Sequence, residues 1–228
     1  MNKLITDYKF LITLIFFDLV IILLHFAFGY QYRLFNLDVE SNLPTVYQGI
    51  KLLILSNVLI TVFLLFLKSK KIKQLEKVIF GLLTGAFIVL TIDELAQIHE
   101  NISIFLEEIF PKQIDAYGEF YEDTFGFNSA DWLIFYLPAF LIFLGIIAIS
   151  LKLLARILQK KLIIFLIGLA FTFSVPILEL IDTSGRFDQS TVNSLVAVEE
   201  SFEMFGISLI LAALWYMYSN IRTRKVEI

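Results

Sequence analysis

Apolar residues run along this chain in long, nearly uninterrupted blocks, and polar residues collect in the gaps between them. A helix crossing about 30 Å of hydrocarbon needs roughly 20 consecutive apolar residues. Six blocks meet that requirement, at approximately Phe10 to Tyr30, Gly49 to Leu67, Val78 to Ile98, Trp132 to Leu154, Leu162 to Ile181 and Leu195 to Tyr218. The third and sixth are interrupted by polar residues toward one end. The pattern predicts an all-α, polytopic membrane helical bundle of about six transmembrane helices. Lys3 and Lys9 precede the first block in the manner of a signal peptide, but its apolar run is too long and no small-residue cleavage site follows. It is read as a retained span.

Composition supports this reading. Of 228 residues, 58% are hydrophobic and 18% charged, which lies outside the range of soluble domains. No Pro/Gly/Ser-rich linker divides the chain, so a single transmembrane domain over 1–228 is expected, with an extracytoplasmic loop at about 101–131. That loop mixes Phe105, Ile109, Phe110, Tyr121 and Phe125 with acids, which suits an interfacial helix or a lid over the bundle. Cysteine is absent, which excludes disulfides, thiolate metal sites and cysteine nucleophiles.

Charge then sets the orientation. With the N-terminus inside, the cytoplasmic segments hold fourteen of the 18 basic residues, among them Lys68, Lys70, Lys71, Lys73 and Lys77 after the second block and Lys152, Arg156, Lys160 and Lys161 around the turn between the fourth and fifth. Arg33, Lys51, Lys112 and Arg186 fall on the other side, whereas only Asp7, Glu76 and Glu227 among the 22 acids are cytoplasmic. Both termini are therefore predicted to be cytoplasmic, and an odd number of spans would break the alternation. A multi-pass protein of a prokaryotic cytoplasmic membrane is the expected setting.

The same orientation gathers ionisable groups at one level. At about 100° per residue, Asp93, Glu94, Gln97, Glu100 and Asn101 share an arc of roughly 120°, with His99 at its edge. Thr172, Pro176, Glu179 and Asp182 share another in the fifth block, and Glu199, Glu200 and Glu203 cluster at the start of the sixth, before Gly206. Asp18 and His25, seven residues apart, lie on one face of the first helix. None of the three acid-bearing blocks contains Lys or Arg. Their carboxylates must be protonated, hydrated, paired with loop cations such as Arg33 or Lys51, or bound to a cation.

A carboxylate-rich set with one or two imidazoles suits a divalent metal ion such as Ca, Mn, Fe or Zn. The candidate ligands are Asp93, Glu94, His99, Glu100, Glu179, Asp182, Glu199, Glu200 and Glu203, with Glu94 and His99 as candidate catalytic residues. A plainer reading stands beside this one. Glu100 and Asp182 suit solvated helix ends, Glu199 and Glu200 are favourable near a helix N-terminus, His99 suits the interface, and His25 with Asp18 suits helix packing or a supporting pair behind ligands. The spacing matches neither the Glu-x-x-His of helical di-iron sites nor the His-Glu-x-x-His of zinc proteases.

The stretch Asp93-Glu94, four residues, His99-Glu100, together with Glu199-Glu200-Ser201-Phe202-Glu203-Met204-Phe205-Gly206, resembles a pattern in uncharacterised prokaryotic multi-pass membrane proteins. The resemblance implies a multi-pass bundle and no particular activity. Ceramidase-like membrane hydrolases are a looser comparison, but their His-x-x-x-His is missing here; intramembrane CAAX-type proteases share paired glutamates, but their histidine-bearing helices have no counterpart. Three functions fit the residues: a metal-dependent enzyme acting on a lipid or other apolar substrate at the outer leaflet, a cation or proton transporter, and a non-catalytic sensor or assembly subunit. The lipid bilayer, and in the first case a lipid substrate, are the expected partners, and no nucleic-acid partner is expected.

Overall fold

Backbone N–H and C=O groups in long apolar blocks can be satisfied in lipid only by one another, which leaves the helix as the economical solution. The computed structural model describes residues 2–39, 41–98, 131–182 and 187–222, with scattered helical positions between 101 and 111. Helix α1 (Asn2–Leu24) runs into a π-helical turn (His25–Gly29) and, after a 3-10 turn (Arg33–Phe35), is followed by α2 (Leu43–Lys68) and α3 (Gln74–Ala96). Helix α4 (Asp131–Leu158), a 3-10 turn (Gln159–Lys161), α5 (Leu162–Asp182) and α6 (Gln189–Arg222) complete the order. No strand occurs among the described residues. The predicted loop at 101–131 lies almost wholly outside them.

Four segments are long and apolar enough to cross a bilayer: Tyr8–Gly29, Leu43–Lys68, Gln74–Ala96 and Pro138–Ile181. The chain is accordingly a helical membrane protein. The fourth segment runs through most of α4 and α5, which fold back at Gln159, where φ is 51°.

Helix ends depart from the hydropathy pattern where polar side chains set them. Helix α2 begins at Leu43 rather than Gly49 because the Asn42 side chain accepts a hydrogen bond from the Thr45 N–H (3.2 Å) and Pro44 sits in the first turn. Asn42 also donates through Nδ2 to the Arg33 and Asn36 carbonyls, which ties down the connection from α1. Helix α3 stops at Ala96, and Gln97 turns left-handed (φ 51°, ψ 44°) and donates through Nε2 to Ser41 Oγ at 3.0 Å. The regular helical arc expected to continue from Asp93 to Asn101 is therefore broken at Gln97. At the start of α6, the Asp188 carboxylate accepts from the Thr191 N–H (3.0 Å), and its bonds to Thr191 hold the carboxyl below its usual range.

Helix α6 is the hub of the bundle. It packs along α5 and also meets α1, α2 and α4, while α2 packs on α3 and α3 on α4. The core is apolar over most of its length, with Leu55, Leu59 and Phe66 of α2, Phe80 and Leu83 of α3, Leu154 and Leu158 of α4, and Ile210, Leu211 and Leu214 of α6 among its buried members. Near the Gln159 turn, Lys161 places its ammonium 3.2 Å from the centre of the Tyr8 ring and 5.1 Å from that of Tyr216, a cation–π contact joining α1 and α6.

Two glycines set the α5–α6 crossing. A Cβ on Gly168 would lie 2.8 Å from the Gly206 carbonyl oxygen, and one on Gly206 would meet Thr172 and lie 3.0 Å from the Gly168 carbonyl oxygen. Without a hydrophobic drive between helices in lipid, such close backbone approach supplies much of the attraction. Gly206→Val is expected to push α5 from α6 and destabilise the fold by about 1–3 kcal/mol. A drop in the thermal midpoint of detergent-purified protein would show this, and an unchanged midpoint would mean that the crossing is looser.

Candidate functional site

Asp18 is the charged residue in the middle of α1, and an isolated carboxylate there would be stripped of water with nothing to replace it. Instead its Oδ1 lies 2.9 Å from Lys51 Nζ and accepts a hydrogen bond from the Tyr47 hydroxyl at 2.9 Å. Both members of the ion pair are buried, with side-chain exposures of 2% for Lys51 and 0% for Asp18. Lys51 and Tyr47 are one helical turn apart on α2, so they approach α1 together.

The ammonium is held on every available donor. Besides Asp18, Lys51 Nζ donates to the Met204 carbonyl (2.8 Å) and to Ser208 Oγ (3.3 Å), both on α6, and lies 4.6 Å from the centre of the Tyr47 ring. Three donors and three acceptors match the inventory of a lysine. One turn toward the start of α2, Gln48 Nε2 donates to Glu203 Oε1 at 3.1 Å. Glu203 of α6 and Glu94 of α3 both lie within electrostatic reach of Lys51. The centre thus draws on α1, α2, α3 and α6, and brings the carboxylates of Asp18, Glu94 and Glu203 to the Lys51 ammonium. Asp18 Oδ2 and Gln48 Oε1 are buried and make no hydrogen bond among the described residues, which leaves each a lone pair for a proton, a water or a cation.

His25, seven residues beyond Asp18 in the π-helical turn that continues α1, is also buried. The π-helical turn ends at Gly29, where a Cβ would collide with His25 Nδ1, so glycine is what lets the ring fold against its own backbone. The Leu37 N–H donates to His25 Nδ1 at 3.1 Å, while Nε2 has no hydrogen-bond partner among the described residues. Asp18 and His25 share a face as expected but bond different groups. Beside His25, burial pushes the Asp38 carboxyl above its usual range, partly offset by the imidazole.

The predicted ligands divide into three groups. Glu94 and Glu203 converge on Lys51. Asp93, Glu179, Glu199 and Glu200 are half-buried, each engaged in its own interaction. His99 and Glu100 lie outside the described residues, as does the side chain of Asp182. Among the described residues, no group of three or more His, Cys, Asp or Glu side chains is placed to hold a metal ion.

The sequence reading assigned Lys51 to the extracytoplasmic loops, and this is corrected: it is the buried core of the centre. The reason is the Asn42 cap, which starts α2 early and carries Lys51 inside. A signal was present, since an acid in the middle of the first span calls for a cation at similar depth on a neighbour.

The model of a domain of unknown function, DUF8692, matches residues 13–217. No curated protein and no solved structure matches the chain.

Removing one partner of a buried pair leaves the other charge uncompensated, whereas replacing both does not. Lys51→Met is expected to destabilise the protein by about 3–5 kcal/mol. The double variant Lys51→Met, Asp18→Leu should recover most of that loss. Unfolding midpoints of the two variants measure the difference, and equal losses would mean that the pair is not coupled.

Proposed function

We propose that this chain, which belongs to the DUF8692 family, is a six-span membrane protein with both termini cytoplasmic that takes up a cation, in the first place a proton, at the Lys51–Asp18 centre and passes it across the bilayer. The observation that carries this reading is the fully buried Lys51–Asp18 pair, with Glu94 and Glu203 within electrostatic reach of it. Ionisable groups inside a membrane are expensive and mark ion or proton pathways. An apolar pair of similar volume would hold the helices without the desolvation penalty.

Helix lengths support the six spans. Helices α4 and α5 have 28 and 21 residues, and at 1.5 Å per residue each exceeds the hydrocarbon thickness of about 30 Å. Helix α6 runs from Met204 to Ile221 without a charged residue. The basic segments at the α2–α3 and α4–α5 connections then fall on the cytoplasmic side, and the centre lies toward the outer leaflet.

A proton or metal cation entering the centre meets the carboxylates of Asp18, Glu94 and Glu203. Asp18 is the group that can alternate between pairing with Lys51 and binding the incoming cation. In proteoliposomes carrying an internal pH dye, an imposed proton or metal-ion gradient is expected to drive uptake that is lost in Asp18→Asn and Glu203→Gln. Uptake undiminished in both variants would refute the reading.

The convergence of Glu94 and Glu203 from separate helices also supports a second reading, a metal-dependent enzyme acting on a lipid at the outer leaflet. There Glu94, Glu200 and Glu203, with His99 following in the sequence, would bind a divalent metal ion that activates a water. Elemental analysis of protein purified without chelator is expected, on this reading, to find near-stoichiometric metal that disappears in His99→Ala and Glu200→Ala. Metal-free wild-type protein would leave the transporter reading alone.

A further inference from the structure

Between His25 and the Lys51–Asp18 centre lies an apolar plug. Ile21, one turn from both Asp18 and His25 on α1, packs with Leu37 of the connecting segment and Met204 of α6, all three buried, and Ile22 and Tyr47 rest against them. Two of the plug residues, and Tyr47 beside them, are tied to polar groups: the Met204 carbonyl accepts from Lys51, Tyr47 donates to Asp18, and the Leu37 N–H donates to His25 Nδ1.

The bond to Leu37 fixes the chemistry of the ring. Because Nδ1 accepts, the neutral imidazole carries its hydrogen on Nε2, and the lone pair on Nδ1 is the only place left for a second proton. A proton taken from water onto Nδ1 turns that nitrogen into a donor facing another donor, so the Leu37 bond breaks as the imidazolium forms. The replacement acceptor is already beside the ring: the Phe35 carbonyl lies within hydrogen-bonding reach of the imidazole and borders the same small space beside Gly29 as Nδ1. Histidine is the side chain that ordinarily makes this change near neutral pH. Asp38 of the connecting segment supplies the charge that faces it, and the rings of Phe26 and Tyr30 lie 5.3 and 5.0 Å from the imidazole. Lys51 of α2 and Glu203 of α6 lie beyond the plug.

We propose that His25 is a protonation-sensitive latch on the Leu37 plug: neutral, it holds Leu37 over the Lys51–Asp18 centre, and protonated, it releases Leu37 and opens the centre to the surface served by the 30–42 segment. The latch regulates the centre on which the transport reading rests, but its working is a local hydrogen-bond exchange that does not depend on what the centre carries.

Hydrogen–deuterium exchange of the full chain in lipid nanodiscs reads the latch directly. Exchange is expressed as protection factors, so that the intrinsic pH dependence cancels. Between pH 8 and pH 5, the peptide containing Leu37 is expected to lose protection by about tenfold, the amount that follows from one net hydrogen bond. His25→Gln, whose side-chain carbonyl accepts at both pH values, should keep the segment protected throughout, and His25→Ala should leave it unprotected throughout. Protection in wild type that is flat with pH, or the same loss in His25→Gln, would overturn the proposal, and the wild-type series decides even where His25→Ala fails to fold. Proteoliposome uptake measured alongside separates the two ideas. A pH-dependent segment without uptake removes transport and leaves the latch, whereas uptake with a pH-independent segment removes only the latch.

Discussion

Burying the Lys51 ammonium strips it of water, and that loss is offset only where three acceptors reach it at once. Asp18 comes from α1, and the Met204 carbonyl and Ser208 hydroxyl come from α6, so these helices must meet α2 at one depth and in one rotation. Apolar surfaces in lipid have little preference among neighbours, because lipid tails pack as well as leucine. The directional bonds of one lysine therefore specify an arrangement that the Leu and Ile faces of α1, α2 and α6 leave open. The Gly168–Gly206 crossing does the same for α5 by shape instead of charge.

Once the pair is in place, its surroundings acquire their character. Tyr47 serves Asp18 with its hydroxyl and Lys51 with its ring, and Gln48 on the next position engages Glu203. Ile21, Leu37 and Met204 pack together beside the pair. The proposed uptake of a small cation rests on this buried pair and the carboxylates near it. Membership of the DUF8692 family carries no activity with it, so the functional reading rests on these contacts.

Much of the architecture was legible along the chain. Apolar blocks gave the helices, and the fifth block, Leu162 to Ile181, differs from α5 by a single residue. Capping moved the other boundaries: Asn42 started α2 early, and the left-handed Gln97 ended α3 before the polar arc was complete. The candidate site was legible in part. Glu94 and Glu203 were singled out as candidate metal ligands and lie within electrostatic reach of Lys51, and Asp18 and His25 were recognised as sharing a face. Lys51 was named as a possible partner for the acids but placed in a loop, because counting cations by side of the membrane treats a lysine near a block's edge as a loop residue.

The sequence by itself determined what depends on neighbours along the chain: helical blocks long enough for a bilayer, the alternation of basic connections, the absence of thiol chemistry, and which helix faces carry acid. Only the tertiary structure decided which of those faces meet. Hydropathy is a sum over local residues, and it is blind to rotation about a helix axis and to the order of helices around the bundle. A hydrogen bond of 2.9 Å between Lys51 and Asp18 depends on both.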